Sequence, residues 1–385
     1  VNWLAQQLDQ LATDGLQRER RTITPQPGGW IECGGSRVRN FASNDYLNLA
    51  SDPRVIAAVG DALSSGVGSR ASALVTGHST WHERLEQRLA KFEGTEAALL
   101  FPSGYAANVG TITALVEPPD VVHCDRWNHA SLIDGCRLSG ARLRIYRHDD
   151  LDGLRRQLSK ASRGQRQWIV TDSVFSMDGD LAPLPELCDL AEEFTATLIV
   201  DEAHGTGVFG EHGRGVAELT QTEPRIGVRI GTLSKSLGTL GGFVTGSRVL
   251  IDWLWNRARS QVFSTALPPS LCAGAMAALD IVQSEPERRR RLSELCCSLR
   301  TALSRRGVDS LATSVGPIVP IIIGEPERTM TIARRIEALG FLVASIRPPT
   351  VPNGTSRLRI SATTAFQETD LHELADAIAT AVSTF

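Results

Sequence analysis

Five short apolar runs set among helical patterns constrain this chain most: 97–101, 121–124, 168–171, 198–201 and 228–231. Each is about the length of a strand and is mostly apolar. Continuous runs of this kind suit strands buried on both faces of a parallel sheet. Strand, helix and strand in succession predict an α/β fold. Polar residues of chemical interest recur where the runs end: Ser103-Gly104-Tyr105, His129, Ser176 and Asp201. In an open α/β sheet ligands bind beyond the carboxyl ends of the strands, so one cleft is expected to gather these distant segments.

A chain of 385 residues exceeds the usual size of a single core. The character changes near Glu285-Pro286-Glu287. A basic helix, Arg288-Arg289-Arg290-Arg291, leads to the apolar stretch 318–323, to Leu358-Arg359-Ile360-Ser361, and to a last helix beginning near Thr369. The expected organisation is an N-terminal helical and extended segment over 1–45, a large α/β domain over 46–284 and a smaller α+β domain over 285–385. A net charge of -3 gives no overall attraction to nucleic acid. Seven cysteines without a Cys-x-x-Cys pair argue against a disulfide framework or a structural zinc site, and no metal is expected. No long uncharged apolar run suggests a membrane segment, and a cytoplasmic protein is expected.

The most specific chemistry lies in Gly231-Thr232-Leu233-Ser234-Lys235-Ser236-Leu237-Gly238, downstream of Asp201-Glu202-Ala203-His204. A lysine with a distant acid and histidine is the equipment for pyridoxal phosphate: an amine for the carbonyl, a carboxylate for the ring nitrogen and a polar contact for the ring. Asp201 ends an apolar strand, where an ionised carboxylate needs a partner; a helix cap or a structural ion pair is the plainer alternative. His204 suits the ring's phenolic oxygen or a structural role. The turn Ser103-Gly104-Tyr105 opens a helix whose N-terminus favours a phosphate, unless it is an ordinary strand-to-helix turn. His129 is suited to stacking on a flat ring or to a cap region. Arg357 and Arg359 share one face of a strand and suit a substrate carboxylate or a surface ion pair.

Two other signals weigh less. Gly205-Thr206-Gly207-Val208-Phe209-Gly210 matches Gly-x-Gly-x-x-Gly, but it starts several residues past its strand and runs into more glycine rather than a helix. The arginine run at 288–291 is expected to be a solvated helix face.

Together, Ser43-Asn44-Asp45-Tyr46-Leu47, 174–180, 201–207 and the segments around Lys235 and Arg359 resemble the α-oxoamine synthases over nearly the whole chain. These are pyridoxal phosphate enzymes of the aspartate aminotransferase fold, fold type I. They have a large domain with a mostly parallel sheet flanked by helices, and they join an amino acid to an acyl-CoA. Arg347-Pro348-Pro349-Thr350-Val351-Pro352, followed by Gly354-Thr355, is similar to the members that use L-alanine and pimeloyl-CoA; a sister reaction with glycine or serine is the alternative.

The resemblance implies that Lys235 binds the cofactor covalently, Asp201 pairs with the ring nitrogen, His204 contacts the ring oxygen and His129 stacks on the ring. It gives the phosphate to Gly104, Tyr105 and Thr232, with Ser264 and Thr265 reaching the phosphate of a second subunit in a homodimer. Ser176 lines the cofactor pocket. Arg359 takes the amino-acid carboxylate beside Asn44, with Thr350 and Arg18 on the substrate side. The chain departs from the family pattern at Arg70 and Ala73-Leu74, and at Ser234, where glycine is common.

Overall fold

The computed structural model describes residues 2–18, 20–162 and 164–383. The chain divides into two compact units, one of residues 1–46, 177–180 and 290–385, the other of residues 47–176 and 181–289. The first unit opens with the helix Asn2–Thr13 and the strands β1 (Ile23–Pro25), β2 (Trp30–Cys33) and β3 (Ser36–Asn40), paired antiparallel in that order.

The second unit is built on a seven-stranded sheet: β4 (Ala97–Phe101), β5 (Val121–Asp125), β6 (Arg142–Tyr146), β7 (Gln167–Asp172), β8 (Ala196–Asp201), β9 (Val228–Thr232) and β10 (Gly242–Gly246), in spatial order β4-β10-β9-β8-β7-β5-β6. Every residue of β4, β5, β7 and β9 is buried, which explains why these strands read as mostly apolar; the buried Arg229 of β9 is paired with Glu93 at 3.0 Å. From β9 through β8, β7 and β5 to β6 the pairing is parallel. On one face, Leu99, Val122, Val170, Ile199, Ile230 and Val244 pack with Ala107, Ile112, Leu132 and Leu254 into one core.

The sheet is mostly parallel, as expected: β10 is the reversed strand, antiparallel to both β9 and β4, so β4 runs in the same direction as β9. The inserted strand, Gly242-Phe243-Val244-Thr245-Gly246, reads as a glycine loop in sequence. The glycines are there for close approach. A Cβ on Gly231 would lie 2.2 Å from the Phe243 ring, and one on Gly242 2.4 Å from the Ser103 carbonyl oxygen. The edge strand β6 escapes notice for the opposite reason: Arg142 and Arg144 break its apolar pattern.

Residues 205–210 form turns, with Gly207 and Gly210 at φ of 81° and 86°, and no helix begins there. The arginine run is a solvated face only at exposed Arg290, and its other members are partnered. Arg288 donates to Asp52 at 3.0 Å and to Glu285 at 2.5 Å, while buried Arg289 donates to the backbone oxygens of Val282 and Glu211. Arg291, in the other unit, donates to the Phe366 oxygen at 3.0 Å and to Gln367 at 2.8 Å.

The first unit is completed by β11 (Ile318–Gly324), β12 (Phe341–Leu342), β13 (Ala344–Ile346) and β14 (Ser356–Ser361). Antiparallel β11-β14-β13 form a three-stranded sheet, and β12 pairs parallel with β3. Leu358 and Ile360 of β14 join Leu371, Leu374 and Ile378 of the last helix, Glu368–Ser383, in a second core.

Candidate active site

Asp201, the last residue of β8, is 5% exposed, and its two oxygens are separately anchored. Oδ1 accepts the Ala203 N–H at 2.7 Å, and Oδ2 accepts Nδ2 of Asn108 at 2.6 Å. Asn108 lies on the helix Gly104–Leu115, so the acid is fixed by both the strand end and a packed helix. Asp172 ends β7 in direct register with Asp201. Burial, then the neighbouring Asp201 charge, push the Asp172 carboxyl well above the ordinary carboxylate range. Its Oδ2 accepts the His129 backbone N–H at 2.6 Å, and its own N–H is held by Asn128 Oδ1 at 3.0 Å.

His129 caps the helix Ala130–Leu138, with Nδ1 accepting the Ser131 N–H at 3.3 Å. Burial is the main reason that its imidazole titrates below the usual value; Asp201 opposes this shift and the Lys235 charge adds to it. The Lys235 charge also pulls Asp172 downward, so this half-buried amine acts on both groups. Its turn is fixed by Gly238, at φ 64°, where a Cβ would lie 2.3 Å from the Ala50 nitrogen. The Gly238 N–H closes the turn onto the Lys235 oxygen at 2.9 Å. His204 is buried three residues beyond Asp201, and Ser176 lies half-buried four residues past the end of β7.

The helix Gly104–Leu115 springs directly from β4, and Ser103 Oγ accepts the Ala106 N–H at 3.1 Å. The first N–H groups of a helix have no partner within it. A Cβ at Gly104 would lie 3.2 Å from Thr232 Oγ1, so absence of a side chain leaves a cradle between the helix start and that hydroxyl. This cradle fits a phosphate, and anchored Asp201 fits a protonated ring nitrogen. Tyr105 offers only its backbone, because its hydroxyl is turned to Asp134 at 2.7 Å. Ser264 and Thr265 line a small cleft with His78, His82 and Glu86, and its described lining includes neither Asp201 nor Lys235.

In the other unit, Arg359 is 5% exposed, and Nη2 donates to Asn44 Oδ1 at 3.2 Å and to the Tyr46 hydroxyl at 3.4 Å. Nη1 donates to Ser361 Oγ at 3.0 Å. Arg357 is different, since its guanidinium is spent on Asp178 at 2.6 Å in a buried ion pair. Arg18 and Thr350 meet each other at 3.1 Å, in a cleft of about 630 Å³ that Arg21, Arg334 and Arg347 also line.

Asn108, Asn128, Ser131 and Asp172 are the residues that sequence reasoning missed. Asp172 carried a usable signal, because it ends an apolar strand just as Asp201 does. Asn108 lies one helical turn beyond Gly104 and so shares its side of the helix. Nothing in the sequence distinguished Ser131 from an ordinary helix-start serine.

The family model for class I and II aminotransferases matches residues 36–378. The chain is 48% identical over 366 residues to an 8-amino-7-oxononanoate synthase of Anaeromyxobacter dehalogenans, covering 95% of this chain and 92% of that protein. It is 48% identical over 379 residues to the corresponding synthase of Geobacter sulfurreducens, covering 98% and 97%. Among solved structures it is similar to a serine palmitoyltransferase from S. paucimobilis with PLP and myriocin bound. There the TM-score is 0.94 at 30% identity, covering 99% of this chain and 97% of that one.

Proposed function

The chain belongs to the class I and II aminotransferase family, among the 8-amino-7-oxononanoate synthases, and we propose from that premise that it joins L-alanine to the pimeloyl group of pimeloyl-CoA. The products are 8-amino-7-oxononanoate, free CoA and carbon dioxide, a step of biotin synthesis. The observation that supports this reading is the 48% identity to 8-amino-7-oxononanoate synthases over nearly the whole chain, together with Lys235 and a doubly anchored Asp201 at the carboxyl end of the sheet.

Pyridoxal phosphate, when bound, supplies an electron sink for the carbon that bears the amino acid's carboxylate. Lys235 Nζ is the attachment point and the base for the Cα proton. Asp201 holds the ring-nitrogen proton, and its fixed carboxylate keeps the ring electron-poor. Gly104, the Tyr105 N–H and Thr232 hold the phosphate, His129 covers the ring, His204 meets its oxygen and Ser176 lines the pocket. Arg359 with Asn44 takes the alanine carboxylate, and Arg18 with Thr350 takes the acyl substrate.

A homodimer in the cytoplasm is part of the proposal, with Ser264 and Thr265 serving the phosphate of the second copy. Exposed Val67, Val75 and Phe263 support an interface there, and the bridge of Ser72 to Thr265 joins the two segments that carry them. A sister reaction with serine has backbone likeness in its favour, but the higher identity to the 8-amino-7-oxononanoate synthases outweighs a fold shared by both. Reductive fixation of bound pyridoxal phosphate followed by peptide mapping tests the attachment. Label on Lys235 is expected, and label on another lysine would overturn the assignment.

A further inference from the structure

A hydrogen-bond relay links the two ring-facing groups assigned above, and the direction of each bond in it can be worked out. Asp201 Oδ1 takes the Ala203 N–H, and Oδ2 lies 2.6 Å from the Asn108 amide nitrogen. An ionised carboxylate only accepts, so the Asn108 group facing it must be the NH₂. That same NH₂ reaches Ser131 Oγ at 2.8 Å with its second hydrogen. Ser131 Oγ therefore accepts from Asn108, and its own hydrogen is left for the next neighbour, His129 Nδ1 at 2.7 Å. The Ser131 backbone N–H points at the same Nδ1. Two donors thus converge on Nδ1, which has to be an acceptor.

We infer that Asn108 and Ser131 are positioning residues that hold His129 as the neutral tautomer with its proton on Nε2. The relay starts at Asp201, so the acid that faces the cofactor ring also determines the tautomer of the histidine that covers it. Protonating Nδ1 would turn an acceptor into a donor aimed at two donors, and the relay resists it. Burial works in the same direction. Of the charged groups that act on His129, Asp201 and Asp134 favour the imidazolium and Lys235 opposes it. Ser131 is fully buried and Asn108 nearly so, and the Asn108 Oδ1 has no hydrogen-bond partner among the described residues, which leaves the amide no competing use for its other end. The Nε2–H is then the donor that His129 presents to a bound substrate. That last use rests on the proposed function, whereas the relay itself does not.

The test is nitrogen NMR of the cofactor-loaded protein with ¹⁵N-labelled histidine, recorded without amino acid or acyl donor. The chain has eight histidines, and His129→Gln identifies the signal by its loss. In the unsubstituted protein, His129 should show an acceptor-type Nδ1 and a protonated Nε2. Ser131→Ala should give a mixture of tautomers and an upward shift of the His129 titration midpoint, and Ser131→Thr should restore the single form. A protonated Nδ1 in the unsubstituted protein would overturn the inference, whatever the variants do. An unchanged tautomer and midpoint in Ser131→Ala would overturn it as well. Neither result would bear on which substrates the enzyme uses.

Discussion

Asp172 and Asp201 end adjacent parallel strands in direct register, and the pair divides its labour by environment. Asp201 takes two N–H donors, while burial, and then the neighbouring Asp201, push the Asp172 carboxyl upward. Two buried carboxylates side by side cannot both ionise cheaply.

The Asp172 pair has a pH signature. A carboxyl whose folded pKa is raised binds its proton more tightly when folded, so its contribution to stability is intact below the unfolded value of about 4. That contribution is lost as pH rises from there through the folded value. Asp172→Asn removes the titration and keeps an acceptor for the His129 N–H. Thermal unfolding at pH 5 and pH 8 should show the variant gaining on the parent as pH rises. A difference independent of pH would contradict the proton on Asp172.

Asp201→Ala should slow proton removal more than it weakens alanine binding, because the charge that Asp201 stabilises arises only after binding. Alanine affinity and exchange of its Cα hydrogen into solvent separate the two effects. Equal losses in both would make Asp201 a structural residue.

Gly104→Ala places a Cβ 3.2 Å from Thr232 Oγ1, in the cradle assigned to the phosphate. Cofactor loss on dialysis should quicken by roughly tenfold or more, equivalent to about 1.4 kcal/mol. The same substitution should not lower the unfolding temperature of the cofactor-free protein, since alanine favours a helix over glycine. Unchanged retention would place the phosphate elsewhere.

Arg357 and Arg359 should separate by what fails. Arg357→Ala leaves Asp178 buried without its partner and should cost about 3–5 kcal/mol of stability. Arg359→Lys keeps the charge but loses the planar fork, and the KM for alanine should rise with a smaller loss of stability. The reverse pattern would exchange the two roles.

The sequence made the centre of the sheet plain, because strands buried on both faces leave mostly apolar runs. It hid β10, whose glycines serve close packing, and β6, whose edge position tolerates arginine. Lys235, Asp201 and Gly104 stood out because strand ends and glycine turns carry a local signal. Asn108 and Ser131 did not, since their meaning lies in contacts between different helices and a strand, across 23 and 93 residues of chain. The arginine run misled for a related reason: its partners Asp52, Glu211 and Phe366 are distant in sequence.

The most direct measurement is free-thiol release by the cofactor-loaded protein, with L-alanine, glycine or L-serine paired in turn with pimeloyl-, acetyl- or succinyl-CoA. Release confined to L-alanine with pimeloyl-CoA, and lost in Lys235→Ala, is the predicted result. Release favouring another pair, or persisting without Lys235, would contradict the account.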